Sequence, residues 1–133
     1  MKAGSVYLTN VVMDDNYGAS SGTIATKGSP VYVSNSILTD NDGSAVALAE
    51  DDIEGESGSI SWTYSSFYDN DGGYDGVDAP TAAGGNISGD PRLTSTWELE
   101  SDSPCIDTGD PAVSDVDGSR SDMGAYGGPV GSW

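Results

Sequence analysis

The sequence has no histidine, one cysteine (Cys105), one phenylalanine and only 4 lysines and arginines together. Each absence excludes a class of function. Without histidine no Ser-His-Asp triad can be built, and a lone thiol makes a poor zinc site. One cysteine forms no intrachain disulfide, and with no imidazole to ionise it Cys105 reads as a small buried apolar residue. So few cations, set against 22 acidic residues, exclude a nucleic-acid partner and oppose adhesion to anionic lipid. No apolar run reaches membrane length, no leader is visible, and phosphate-loop and dinucleotide fingerprints are missing.

What is present is a strand-and-turn vocabulary. There are 19 glycines, and Ser, Thr, Val, Tyr and Asp are common while helix formers are scarce. Hydrophobic residues make up only 35% of the chain, but they are patterned, which argues against disorder. The net charge of -18 repels itself, and bound Ca²⁺ is the simplest way to neutralise part of it.

Three ungapped segments align: VYLTNVVMDDNYG (6–18), VYVSNSILTDNDG (31–43) and ISWTYSSFYDNDG (60–72), at offsets of 25 and 29 residues. Periods in this range mark solenoids. Each segment opens with alternation. Val6 and Leu8, Val31 and Val33, Ile60 and Trp62 share one face; Tyr7 and Thr9, Tyr32 and Ser34, Ser61 and Thr63 share the other. A polar position follows (Asn10, Asn35, Tyr64), then a second short strand aligning Met13, Leu38 and Phe67, then an Asp-Asn corner. The expectation is all-β: a right-handed parallel β-helix of about three coils with an irregular C-terminal cap. Val6, Val31 and Ile60 stack inside it, and Asn16, Asn41 and Asn70 form an amide ladder. An antiparallel sandwich ranks second, because it predicts no matched sequence at such offsets. Residues 1–84 are read as stacked coils, with 47–58 and 73–89 as loop insertions, and residues 85–133 as the exit and capping segment.

From Gly85 the repeat gives way to another pattern. Asp90-Pro91-Arg92-Leu93, then Ser103-Pro104-Cys105-Ile106-Asp107-Thr108-Gly109, then Asp115-Val116-Asp117-Gly118-Ser119-Arg120 and Met123-Gly124-Ala125-Tyr126 follow in order. This series resembles the C-terminal end of bacterial parallel β-helix proteins, the choice-of-anchor Q domain. Two departures are Ser121 between Arg120 and Asp122, and Gly127 where an acidic residue is usual. The resemblance implies a secreted or cell-surface protein. Pro104, Cys105, Ile106, Met123, Ala125 and Tyr126 suit a cover for the last coil. Gly4-Ser5-Val6 enters a repeat at once, which predicts that upstream coils of a longer parent, or a second copy, cover the N-terminal end.

Carboxylates and hydroxyls are what remains for chemistry, and as hard oxygen ligands they suit Ca²⁺. Two Asp-x-Asp-Gly clusters are candidates: Asp69, Asp71, Asp75 and Asp78, and Asp107, Asp110, Asp115, Asp117 and Asp122. Neither has the spacing of an EF-hand. The competing role for each is to cap turn amides without metal, and Arg120 is placed to neutralise Asp117 or Asp122. The favoured reading is a non-catalytic structural and surface-display module. One alternative is a fragment of a polysaccharide-degrading lyase or hydrolase, with a carboxylate pair drawn from Asp14, Asp40, Asp42, Asp69 and Asp71. Another is a module binding cell-surface polysaccharide through Tyr7, Tyr32, Tyr68 and Trp62.

Overall fold

The computed structural model describes residues 4–19, 22–43, 45–52 and 54–131. Among the described residues, nine strands form three parallel sheets of three strands each. The first repeat supplies β1 (Val6–Thr9), β2 (Val12–Asp14) and β3 (Ile24–Lys27). The second supplies β4 (Pro30–Ser34), β5 (Ile37–Thr39) and β6 (Ala45–Glu50). The third supplies β7 (Ser59–Thr63), β8 (Ser66–Tyr68) and β9 (Gly73–Asp75). The sheet orders are β1-β4-β7, β2-β5-β8 and β3-β6-β9, so every strand pairs only with its counterpart in the neighbouring repeat. Such an all-β arrangement is compatible with a solenoid. The single helical turn among the described residues is a 3-10 turn at Ala82–Gly84.

The register follows the sequence alignment. Val6 lies opposite Val31 and Val31 opposite Ile60; Met13, Leu38 and Phe67 match in the same way. The third strand line departs from the expectation of loop insertions at 47–58 and 73–89. Residues 47–50 of the supposed acidic loop belong to β6, and residues 73–75 of the supposed excursion are β9, pairing with it. IATK, ALAE and GYD share no residue pattern, so nothing in the sequence aligned them.

Alternation divides each strand between two environments. Val31, Val33, Leu38, Ile60, Trp62 and Phe67 meet Ile24 and Ala47 in one buried cluster. Trp62, Phe67 and Tyr74 pack edge to face within it, at centroid distances of 5.2 to 6.5 Å. Val12 and Ile37 point the other way, because they are offset by one residue from Met13 and Leu38. They form a second cluster with Cys105 and Met123, flanked by Tyr64, Ile87, Leu93 and Leu99.

That second cluster places the C-terminal segment. It was expected to cover the last coil. Beyond Ile87, which bridges Ser66 and extends the third repeat, the chain instead runs along the outer side of β2, β5 and β8. Trp97 Nε1 reaches Asp14 in the first repeat at 3.0 Å, while Arg120 lies 6.0 Å from the ring centroid of Tyr64 in the third. The physical reason is Ile37. An outward isoleucine on a central strand must be covered, and the apolar residues of the tail cover it.

Candidate functional site

The corner residues between the first and second strands of each repeat set the tail's position. Asn10, Asn35 and Tyr64 all have positive φ, at 54°, 49° and 47°. Asn tolerates this left-handed conformation better than most residues, and its side chain stays free to bond. Asn35, almost fully buried, accepts Asp110 N–H at Oδ1 (2.7 Å) and Gly124 N–H at its carbonyl (2.7 Å). Asn10 Nδ2 donates to the carbonyls of Asp122 and Gly124, at 3.4 and 3.2 Å. Gly124 has φ +99°, and a Cβ there would meet Ile37 Cδ1 at 2.8 Å, so the close approach needs glycine.

Against this frame the tail folds a short hairpin. Ser114 bridges Arg120 in antiparallel fashion around Asp115-Val116-Asp117-Gly118. Asp117 Oδ1 accepts Ser119 N–H (2.9 Å) and Oγ–H (2.6 Å). Asp115 accepts Asp122 N–H at 2.9 Å through one oxygen and Gly128 N–H through the other. Asp122 Oδ1 accepts Asp107 N–H at 2.6 Å. The result is a cleft of about 450 Å³ lined by Asp107, Asp115, Asp117 and Asp122 together with Val116 and Tyr126.

The charges in this cleft are unequal. Burial pushes the Asp122 carboxyl above its usual range; the Asp107 N–H opposes this, and the charges of Asp115, Asp107 and Asp117 add to it. Asp117 is held below the usual range by the Ser119 hydroxyl and amide. Thus four of the five carboxylates of this cluster share one cleft. Asp110 does not line it: its Oδ1 instead caps Ala112 N–H at 2.8 Å. The donor chemistry fits a hard cation. The carboxylates surround the space rather than converging, and among the described residues no three acidic groups come together as a metal site.

The other predicted cluster is spread out. Asp69 occupies a left-handed corner (φ 44°), the Asp71 amide donates to Asn41 O at 2.8 Å, Asp75 ends β9, and the carbonyl of Asp78 receives Trp62 Nε1 at 2.9 Å. All four carboxylates are exposed.

Arg120 does not pair with Asp117 or Asp122. Its Nε and Nη2 donate to the carbonyls of Gly109 (2.7 Å) and Thr108 (3.1 Å), tying two strands of the tail together. The ion pairs among the described residues are Lys27–Glu50 and Arg92–Asp102, both with exposed side chains.

A second groove, also of about 450 Å³, lies between the tail and the outer side of β2 and β5. Asp14 and Asp40 line it with Asp90, Arg92 and Glu100; Asp42, Asp69 and Asp71 do not. The candidate aromatic row reduces to one pair, as the inward position of Trp62 and the interruption at Ser61 imply. Tyr7 and Tyr32 stack at 5.0 Å and 16°, but Trp62 is buried in the interior and Tyr68 belongs to the second sheet. Cys105 is fully buried beside Met123, and burial pushes its thiol up, as an inert structural cysteine requires.

No protein-family model, curated protein or solved structure matches the chain. No helix among the described residues is long and apolar enough to cross a membrane.

Two side-chain columns run through the repeats. The expected amide ladder is present. Asn16 N–H and Nδ2 donate to Asn41 Oδ1 at 3.1 and 2.9 Å, and Asn41 N–H and Nδ2 donate to Asn70 Oδ1 at 3.1 and 2.7 Å. Sequence reasoning missed the second column. Val11 N–H donates to Ser36 Oγ (3.2 Å), Ser36 N–H to Ser65 Oγ (3.1 Å), and Ser65 N–H to Asn86 Oδ1 (3.1 Å). Ser36 and Ser65 are fully buried. The available signal was a serine after the left-handed corners of the second and third repeats, Asn35-Ser36 and Tyr64-Ser65.

Proposed function

We propose that this chain is a non-catalytic structural and surface-display module of a secreted bacterial protein, built as a right-handed parallel β-helix of about three coils and stabilised by Ca²⁺. The observation that carries the reading is where the polar side chains are spent. Asn, Ser and Asp groups that would otherwise be candidates for catalysis bond turn amides or one another, from Asn41 in the ladder to Asp115 in the tail. The resemblance of residues 90–126 to a choice-of-anchor Q domain supports the secreted, cell-surface setting. Upstream coils of a longer parent, or a second copy, are the partners at the N-terminal end.

Calcium belongs in the Asp107–Asp122 cleft. Burial raises the Asp122 carboxyl first, and the charges of Asp115, Asp107 and Asp117 add to it; that added repulsion is what a divalent cation relieves. Thermal unfolding in EDTA and in Ca²⁺ at matched ionic strength tests it, because a ligand of the native state raises the midpoint. Asp122→Asn should abolish most of the Ca²⁺ increment while leaving the EDTA midpoint at or above wild type. No Ca²⁺ increment in the unmodified protein removes calcium and leaves turn-capping aspartates.

The groove bearing Asp14 and Asp40 favours a second reading, a fragment of a polysaccharide-degrading enzyme. Release of reducing or unsaturated sugar ends from acidic polysaccharide, lost in Asp14→Asn and Asp40→Asn, would establish it. Stacked Tyr7 and Tyr32 support a third, a carbohydrate-binding or adhesive module, which a blank glycan array after calcium loading removes.

A further inference from the structure

The two ends of the stack are finished differently. At the third repeat the chain covers itself: Ile87 bridges Ser66, Gly84 O accepts Tyr64 N–H at 2.9 Å, and Asp78 O holds the Trp62 indole. Ile60 and Trp62 are accordingly 6% and 8% exposed. At the first repeat β1, β2 and β3 are each paired on one side only. Val6 is 48% exposed, whereas Val31, its neighbour in register, is 5%. Leu8, Val12 and Met13 are half-buried where Val33, Ile37 and Leu38 are fully buried.

The open end also has a polarity. In the amide ladder each Asn donates its N–H and Nδ2 to the Oδ1 of the Asn in the following repeat. Asn16 Oδ1 is the one ladder acceptor left without a donor among the described residues. An occupant that continues the register must therefore bring two N–H donors to that point, and apolar side chains over Val6, Leu8 and Met13.

We propose that the β1–β2 edge docks one further polypeptide rung, running parallel to β1 and β2, with an asparagine donating to Asn16 Oδ1. The inference rests on the solenoid reading above and narrows its partner to a rung of the same repeat chemistry. A second copy is disfavoured on two grounds. A twofold pair would set β1 antiparallel to β1 with acceptor facing acceptor at Asn16, and each partner carries a charge of -18. A head-to-tail pair would need the third-repeat end, which residues 78–87 already cover.

The probe is a capped synthetic peptide with the sequence of residues 31–43, titrated into the full chain and followed by amide NMR. The expected result is saturable 1:1 binding, with shifts and slowed hydrogen exchange confined to residues 6–16. A peptide with alanine in place of the residue matching Asn41 should bind about tenfold more weakly, the effect of losing the side-chain amide donor while the backbone N–H remains. Asn16→Ala in the protein should weaken the unaltered peptide by a similar factor; should that variant not fold, the peptide pair alone decides. Absence of binding, equal affinity of the two peptides, or a dimer that buries β1 without peptide overturns the proposal. Amide protection of Ile37 and Leu38 in the free protein separates the two failures. If those amides exchange freely, the solenoid reading itself is wrong; if they are protected, only the docking fails.

Discussion

Asn41 shows how much one side chain can carry here. It is 1% exposed, accepts two N–H groups from Asn16, and donates to Met13 O (2.9 Å) and Asn70 Oδ1 (2.7 Å). Asn41→Ala empties a buried site and removes its bonds to the part-buried Asn16 amides, Met13 O and Asn70 Oδ1 at once; it should cost about 2–4 kcal/mol in urea unfolding, since an unsatisfied buried group costs about 1–3 kcal/mol. Asn16→Ala, at the exposed end of the same ladder, should cost under about 1 kcal/mol. Equal losses would mean that the ladder is incidental. Asp122 gives the pH prediction. A carboxyl whose folded pKa is raised binds its proton more tightly in the native state. Its contribution is fully present below the unfolded value and is lost as pH rises through the folded value. Asp122→Asn keeps an oxygen for the Asp107 N–H and removes the charge. In EDTA it should be more stable than wild type at pH 7, with the gain vanishing below about pH 4. Asp117 has the opposite sign: its stabilisation is present above the unfolded value and fades as pH falls through the depressed folded one. The amide ladder was legible because an identical residue recurs in register. The serine column was not, because it begins at Val11 and ends at Asn86, and only its middle members match.

At the scale of elements, the first two strand lines were legible and the third was not. The first two carry strict alternation and matched apolar residues, so one face must be buried. β3, β6 and β9 lie beyond turns of unequal length, and their partners emerge only once the other two lines are stacked. The tail is legible in the sequence as an irregular cover, but its location is not, because the two-residue alternation of the first strand line does not mark the outward Ile37 as an apolar surface. That surface yields two predictions. Met123 is fully buried against Ile37 and Cys105, so Met123→Ala should cost about 2–5 kcal/mol. The loss should show first as faster exchange and proteolysis of residues 90–131, with β4 and β7 still protected; uniform loosening of all three sheets would mean the tail is not a separable layer. Ser65→Ala leaves the Ser36 N–H without its acceptor inside the stack and should cost about 1–3 kcal/mol, this time loosening the second and third repeats together.

For the whole molecule the decisive quantity is charge. Only 4 cations oppose 22 anions, and the two ion pairs among the described residues are exposed, where such pairs contribute little. The net -18 therefore acts as a diffuse repulsion across all three repeats and the tail. Screening shortens its reach from about 30 Å at 0.01 M salt to about 8 Å at 0.15 M. The thermal midpoint should therefore climb with NaCl over that range and level off above it. A cation bound in the Asp107–Asp122 cleft acts differently, because its contribution grows with the logarithm of its own concentration and survives in high salt. Calcium titrated at 0.5 M NaCl separates the two: a midpoint that still rises with Ca²⁺, and not with Mg²⁺ at equal ionic strength, marks a site. Mg²⁺ demands a tighter octahedral shell than carboxylates spaced around a cleft can supply, whereas Ca²⁺ accepts longer and more irregular bonds. If both ions lose their effect at 0.5 M NaCl, the acidic surface is held together by screening alone, and the aspartates of the cleft serve only the turns they cap.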